Sequence, residues 1–159
     1  MKTLFLMLFA TICFVAEAQT VKNFELKDIE NVTRTYDELK GEKITILDFW
    51  ATWCKPCTKA IPELNKLYEE FKGKGVQIIG INCDGPRSIS KVVPVSKSLN
   101  ITYPVLIDLN ASLVAELGVQ AYPTLIFLNS NGKVVWIHEG YASGDAELIA
   151  NEINKLIKL

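Results

Sequence analysis

Apolar positions along the chain change period several times, and each change marks an element. Ile44 to Trp50 is an almost unbroken apolar, β-prone run, which predicts a central strand buried on both faces. Asp48 is its acidic interruption. From Ala60 to Phe71 the apolar side chains fall at Ile61, Leu64, Leu67, Tyr68 and Phe71, the stripe of a helix. That helix is expected over about Pro56 to Lys72, ending in Gly73-Lys74-Gly75, with a strand following at Val76 to Asn82. Upstream, Phe24–Asp28 and Val32–Tyr36 alternate around Asn31 as an edge hairpin does, and Asp37–Gly41 reads as one helical turn. Downstream, Ser88–Leu99 reads as helical, with Pro94 either starting a second short helix or kinking the first. Pro104–Asp108 reads as a strand and Ala111–Leu117 as a short helix closed by Gly118. Leu125–Leu128 and Val134–His138 form a hairpin around Asn129-Ser130-Asn131-Gly132. A last helix over about Asp145–Ile157 is expected to bury Ile149, Ile153, Leu156 and Ile157. Strands alternating with helices, then a hairpin and a helix, predict an α/β protein: a mixed sheet with helices on both faces.

The first residues follow another pattern. Met1-Lys2 is a short basic start, Leu4–Ala16 is apolar apart from threonine, and Ala16-Glu17-Ala18 is a small-x-small site. This reads as a secretory signal peptide over residues 1–18, leaving one domain over 19–159. The apolar stretch is shorter than the roughly 20 residues of a membrane span. Cys13 follows Ile12, too large for the usual position before a lipidated cysteine. Removing Lys2 and Glu17 leaves the net charge at −1, and no basic stripe points to nucleic acid.

Candidate chemistry sits between the central strand and the long helix, in Trp53-Cys54-Lys55-Pro56-Cys57. Two thiols at this spacing can close a disulfide within one helical turn. The helix N-terminus carries partial positive charge and free N–H groups, which favour a thiolate over a thiol, and a thiolate is the attacking species in disulfide exchange. Cys54, ahead of the helix, is therefore expected to be the nucleophile, partly exposed and with a lowered pKa. Cys57, one turn in, is the resolving thiol. Lys55 and Pro56 lie between them and tune the poise. A zinc site would need two further ligands, and the chain offers Cys83, His138 and Cys13 without a second paired motif. Copper binding by the two thiols with His138 stays open as an alternative, although a lone strand histidine is more often a surface residue. Cys83, after a buried strand, reads as an inert packed thiol.

The stretch Leu47-Asp48-Phe49-Trp50-Ala51-Thr52-Trp53-Cys54-Lys55-Pro56-Cys57 resembles the active-site signature of the thioredoxin superfamily. Pro62 matches the proline of that family's active-site helix, and Tyr122-Pro123-Thr124 matches its cis-proline loop. The N-terminal hairpin extension and the strand-helix insertion between Asp84 and Leu109 resemble the TlpA/ResA-type extracytoplasmic branch. The resemblance implies a thioredoxin-like three-layer fold with a redox disulfide at Cys54–Cys57. It implies Asp48 as a buried proton acceptor for Cys57, and Pro123 in cis beside the disulfide with the Tyr122 backbone offered to substrate. Trp53 would form an apolar rim, with Trp50 in the core. The lysine that partners the buried acid in plain thioredoxin is replaced by Gly80. An acid found in some ResA-type proteins falls near Gly85, beside Asp84.

The expected function is an exported, monomeric thiol–disulfide oxidoreductase in the periplasm or an equivalent compartment, needing no cofactor or metal. It would reduce disulfides of extracytoplasmic proteins, such as apocytochrome c, with electrons from a membrane thiol carrier. The alternatives are a net thiol oxidant or isomerase, and a copper-carrying binding module. A peroxidase is disfavoured because the threonine before the cysteine lacks its flanking proline pattern.

Overall fold

The computed structural model describes residues 19–158; the signal-peptide reading and Cys13 lie outside them. In chain order the elements are β1 (Glu25–Asp28), β2 (Thr33–Thr35), α1 (Tyr36–Leu39), β3 (Ile44–Trp50), α2 (Lys55–Phe71), β4 (Val76–Asn82), α3 (Val92–Ser98), β5 (Val105–Ile107), α4 (Ser112–Leu117), β6 (Thr124–Asn129), β7 (Val134–Glu139) and α5 (Asp145–Leu156). Every expected element is present, with ends moved by a residue or two. Pro94 starts a helix rather than kinking one: a 3-10 turn at Ile89–Lys91 leads into α3, and Pro94 lies in its first turn, where a missing N–H costs no hydrogen bond.

One sheet of seven strands, in the order β2-β1-β5-β4-β3-β6-β7, forms the middle layer. β3 and β4 pair in parallel, as do β4 and β5, while the remaining pairs are antiparallel. β3 lies between β4 and β6 and is buried along its whole length. That explains its nearly continuous apolar sequence, since neither face meets water. The inserted strand β5 joins the N-terminal hairpin to the rest of the sheet.

Side chains of β3 alternate between two cores. Ile44 and Ile46 pack with Ala60, Leu64, Leu67 and Phe71 of α2 and with Ile149, Ile153 and Leu156 of α5. Ile157 follows α5 and is only partly buried against this core. Leu47 and Phe49 face the other way, onto Leu113 and Leu117 of α4 and Tyr36 of α1. A third cluster closes the end of the sheet and holds Trp50, Ala51, Cys54, Cys57, Ile61, Val92 and Val105. The N-terminal stretch docks on the β6–β7 turn, where Val21 N–H donates to the Gly132 carbonyl at 2.8 Å. Gly132 has φ +75°, and a Cβ there would stand 3.0 Å from the Val21 carbonyl, so this turn needs glycine for both conformation and room.

Candidate active site

β3 ends at Trp50, and Ala51–Trp53 turn the chain into α2. Cys54 is the N-cap of α2, and its Sγ accepts the Cys57 N–H at 3.2 Å. This hydrogen bond satisfies one of the orphan donors of the first turn and places the sulfur on the positive end of the helix. Cys54 and Cys57 are joined by a disulfide, with Cα atoms 5.3 Å apart. Pro56 sits in the first turn, where its lack of an N–H costs nothing. Pro62 lies inside α2 without ending it.

Cys54 is less accessible than expected. The residue is 5% exposed, against 1% for Cys57. Cys54 is the more exposed of the two, its Sγ accepts the Cys57 N–H, and Tyr122 packs on the cluster that contains both. Exposure passes instead to Trp53, at 63%, whose ring meets that of Tyr122 edge-on at 5.8 Å. The Tyr122–Pro123 peptide bond is cis, and Pro123 is buried. Trp50 is fully buried. Lys55 and Pro56 are exposed on the turn of the helix between the thiols.

Asp48 is buried at 1% exposure. By the alternation of β3 it faces α2, between Ile46, which packs on Ala60 and Leu64, and Trp50, which packs with Cys57 and Ile61. It is paired in register with Gly80 of β4. Burial pushes its carboxyl up to about 7, with a hydrogen bond from Tyr103 pulling the other way. The Tyr103 hydroxyl donates to Asp48 Oδ2 at 3.0 Å. The sequence, with glycine in place of a charged partner, predicts a carboxylate without any. Tyr103 supplies one from 55 residues away, in the insertion.

A second buried acid is one that the sequence names only as lying beside the position of a ResA-type acid. Asp84, fully buried just after β4, takes the Thr52 N–H and the Thr52 hydroxyl at 2.7 Å each and the Asn82 amide at 2.9 Å. It ties the turn that carries Cys54 to the end of β4. Tyr103 has no local signal, because Asp48 is 55 residues away; Asp84 has a neighbour in Asn82, but its link to Thr52 spans 32 residues. Cys83 is half-buried, its thiol donates to the Ile81 carbonyl at 3.3 Å, and burial pushes its pKa up to about 12, which agrees with an inert packed thiol. His138 stacks on Trp136 and hydrogen-bonds Asp145 at 3.1 Å. Among the described residues no three His, Cys, Asp or Glu side chains are grouped to hold a metal.

The AhpC/TSA family model matches residues 18–137. The thiol-disulfide oxidoreductase ResA of Halalkalibacterium halodurans is 34% identical over 137 residues, covering 86% of this chain and 74% of that protein. Thioredoxin-like protein YneN of Bacillus subtilis is 32% identical, over 79% of this chain and 73% of its own. Among solved structures, one described as a DsbE-type thiol:disulfide interchange protein from Chlorobium tepidum superposes with a TM-score of 0.80 at 25% identity, covering 88% of this chain and 96% of that one. StoA of Bacillus subtilis gives 0.67 at 26%, over 82% and 95%. A disulfide closed across the first turn of α2, on a fold shared with these proteins, places the chain in the AhpC/TSA family as a thioredoxin-like thiol–disulfide oxidoreductase of the ResA type.

Proposed function

We propose that this protein is exported and reduces disulfides of proteins outside the cytoplasm. The observation that carries this reading is the N-cap position of Cys54, whose Sγ receives the Cys57 N–H under the exposed Trp53 and its neighbour Tyr122. In the reduced protein the same N–H and the helix terminus favour the Cys54 thiolate. The thiolate attacks one sulfur of a substrate disulfide. A mixed disulfide forms, and the substrate's other sulfur leaves as a thiolate and is protonated. Cys57 then loses its proton to Asp48 by way of water and attacks Cys54 Sγ. The Cys54–Cys57 bond forms, the mixed disulfide breaks, and the substrate's second sulfur leaves as a thiolate and is protonated, so that two electrons have passed to the substrate. Trp53, Tyr122, Lys55 and Pro56 form the surface on which an extended substrate segment lies, with Pro123 beneath it.

Export rests on the signal-peptide pattern of residues 1–18. The names of the ResA relatives and the DsbE-type neighbour support the same class of activity. Apocytochrome c is a substrate of the right chemistry, a membrane thiol carrier is the electron source, and the protein works as a monomer.

Two measurements test this. With Cys57→Ser, mixed disulfides with substrate proteins accumulate through Cys54, while Cys54→Ser abolishes insulin reduction; trapping through Cys57 instead would reverse the two roles. The reduction potential of the pair is expected between about −120 mV and about −270 mV, nearer the second. A value above about −170 mV would favour the net oxidant over the reductant.

A further inference from the structure

The insertion reaches the redox site through one side chain. We propose that Tyr103 is a positioning residue, whose hydroxyl holds the Asp48 carboxylate in the orientation from which it serves Cys57, and that Gly80 is the space that admits it. The proposal rests on the reading of Asp48 as proton acceptor. Among the described residues, the Tyr103 hydroxyl is the side-chain donor to Asp48, at 3.0 Å. Tyr103 is itself buried, at 4% exposure, so this hydroxyl has little water to turn to. Its ring is held edge-on by Tyr68 at 5.9 Å. The next residue fixes its height along the sheet: the Gly80 N–H donates to the Pro104 carbonyl at 2.8 Å.

Gly80 pairs with Asp48 in the β3–β4 register. A Cβ there would stand 3.2 Å from Tyr103 Cε2, 3.2 Å from Trp50 Nε1 and 3.5 Å from Val105 Cγ2. Gly80 is not among the glycines with positive φ, so room alone, rather than backbone conformation, calls for glycine here. A methyl group there would press on the tyrosine ring beside the carboxylate, and the ring would have to give by a few tenths of an ångström.

The chemistry of the pair follows from its charge. Tyr103 is a neutral donor, so it favours the ionised carboxylate through one hydrogen bond and no more. The other titratable groups around the pair are Cys57 on α2, Cys83 after β4 and Tyr68 against the Tyr103 ring. No cationic side chain is among the groups that shift Asp48. Asp48 is thereby left able to take up and release a proton near neutrality, whereas a buried cation beside it would hold it ionised.

The test uses Tyr103→Phe, which keeps the ring and its packing, and Gly80→Ala, which crowds the ring without removing the hydroxyl. The Asp48 carboxyl resonance is followed by carbon-13 NMR against pH in the reduced protein, alongside the pH dependence of mixed-disulfide release by Cys57. In Tyr103→Phe the carboxyl midpoint should rise by roughly one to two pH units, the loss of one hydrogen bond to a charged group. The rate profile should move with it. Gly80→Ala should shift both in the same direction by less. Midpoints unchanged from wild type in both folded variants would overturn the proposal. A midpoint that moves under an unmoved rate profile keeps Tyr103 as the partner of Asp48 and overturns the proton-acceptor reading of Asp48 instead.

Discussion

Asp48 sets a pH dependence on the stability of the whole protein. Its carboxyl is pushed up to about 7 by burial, against roughly 4 in an unfolded chain. Below pH 4 it is protonated in both states and has no effect. Between about pH 4 and pH 7 the unfolded chain gives up the proton first, so stability falls as pH rises. Above about pH 7 the loss is complete and constant, on the order of 4 kcal/mol. Asp48→Asn removes this dependence while still offering an oxygen to the Tyr103 hydroxyl. Denaturant melts should therefore show the variant more stable than wild type at pH 9 and close to it near pH 4. Turnover should fall by about tenfold or more, in the lower part of the range for a general base. Equal stability at pH 9 together with equal rates would mean that the proton leaves Cys57 by another route.

Single carboxylates also hold whole elements in place. α4 has no side-chain cap from the residue preceding it. Instead Asp108, at the end of β5, takes the N–H groups of Ser112, Leu113 and Val114 and the Ser112 hydroxyl, at 2.9 to 3.0 Å. These are the donors that a helix start leaves unpaired. Asp108→Ala should cost about 2 kcal/mol or more by urea unfolding; a change under about 0.5 kcal/mol would mean that water replaces the cap. Asp84 does the corresponding work for the turn between β3 and α2, through the Thr52 N–H and hydroxyl. In Asp84→Ala three donors lose their acceptor, the Asn82 amide buried and the two of Thr52 partly buried, so a loss of about 3 kcal/mol is expected. The turn holding Cys54 should also loosen, seen as faster amide exchange at Thr52 and Trp53. Unchanged exchange there would show that Asp84 supports only the end of β4.

Across the molecule the sheet is unevenly anchored. β3 is paired along its full length with β4 and, up to Phe49, with the whole of β6, while the β1–β2 hairpin meets the rest of the sheet through two register pairs, Lys27 with Ile107 and Asp28 with Leu106. Local opening follows the density of such buried pairing. In native-state hydrogen exchange the amides of β1 and β2 should exchange well before those of β3 and β4. Exchange of all four strands in one step would mean that the hairpin unfolds only with the whole domain.

Local chemistry, written in the sequence, decided much of this protein. The uninterrupted apolar run of β3 and the helical stripe of α2 fix a buried strand followed by a helix, because both patterns follow from backbone geometry alone. Cys54 and Cys57 lie within one turn of each other, so their disulfide needs no long-range contact. Neighbours distant in the chain were settled only by the fold. Whether Asp48 has a partner depends on how β5 and the residues before it dock beside β4, which brings Tyr103 across 55 positions. The family resemblance places the Tyr122–Pro123 loop beside the disulfide, but how far Tyr122 packs on the cluster that buries Cys54 is decided by the fold. The role of Asp84 depends on the end of β4 lying beside the end of β3 in parallel register, with Trp50 opposite Asn82. A periodic pattern reports which face of an element is buried; only packing decides which side chain from another element is buried against it.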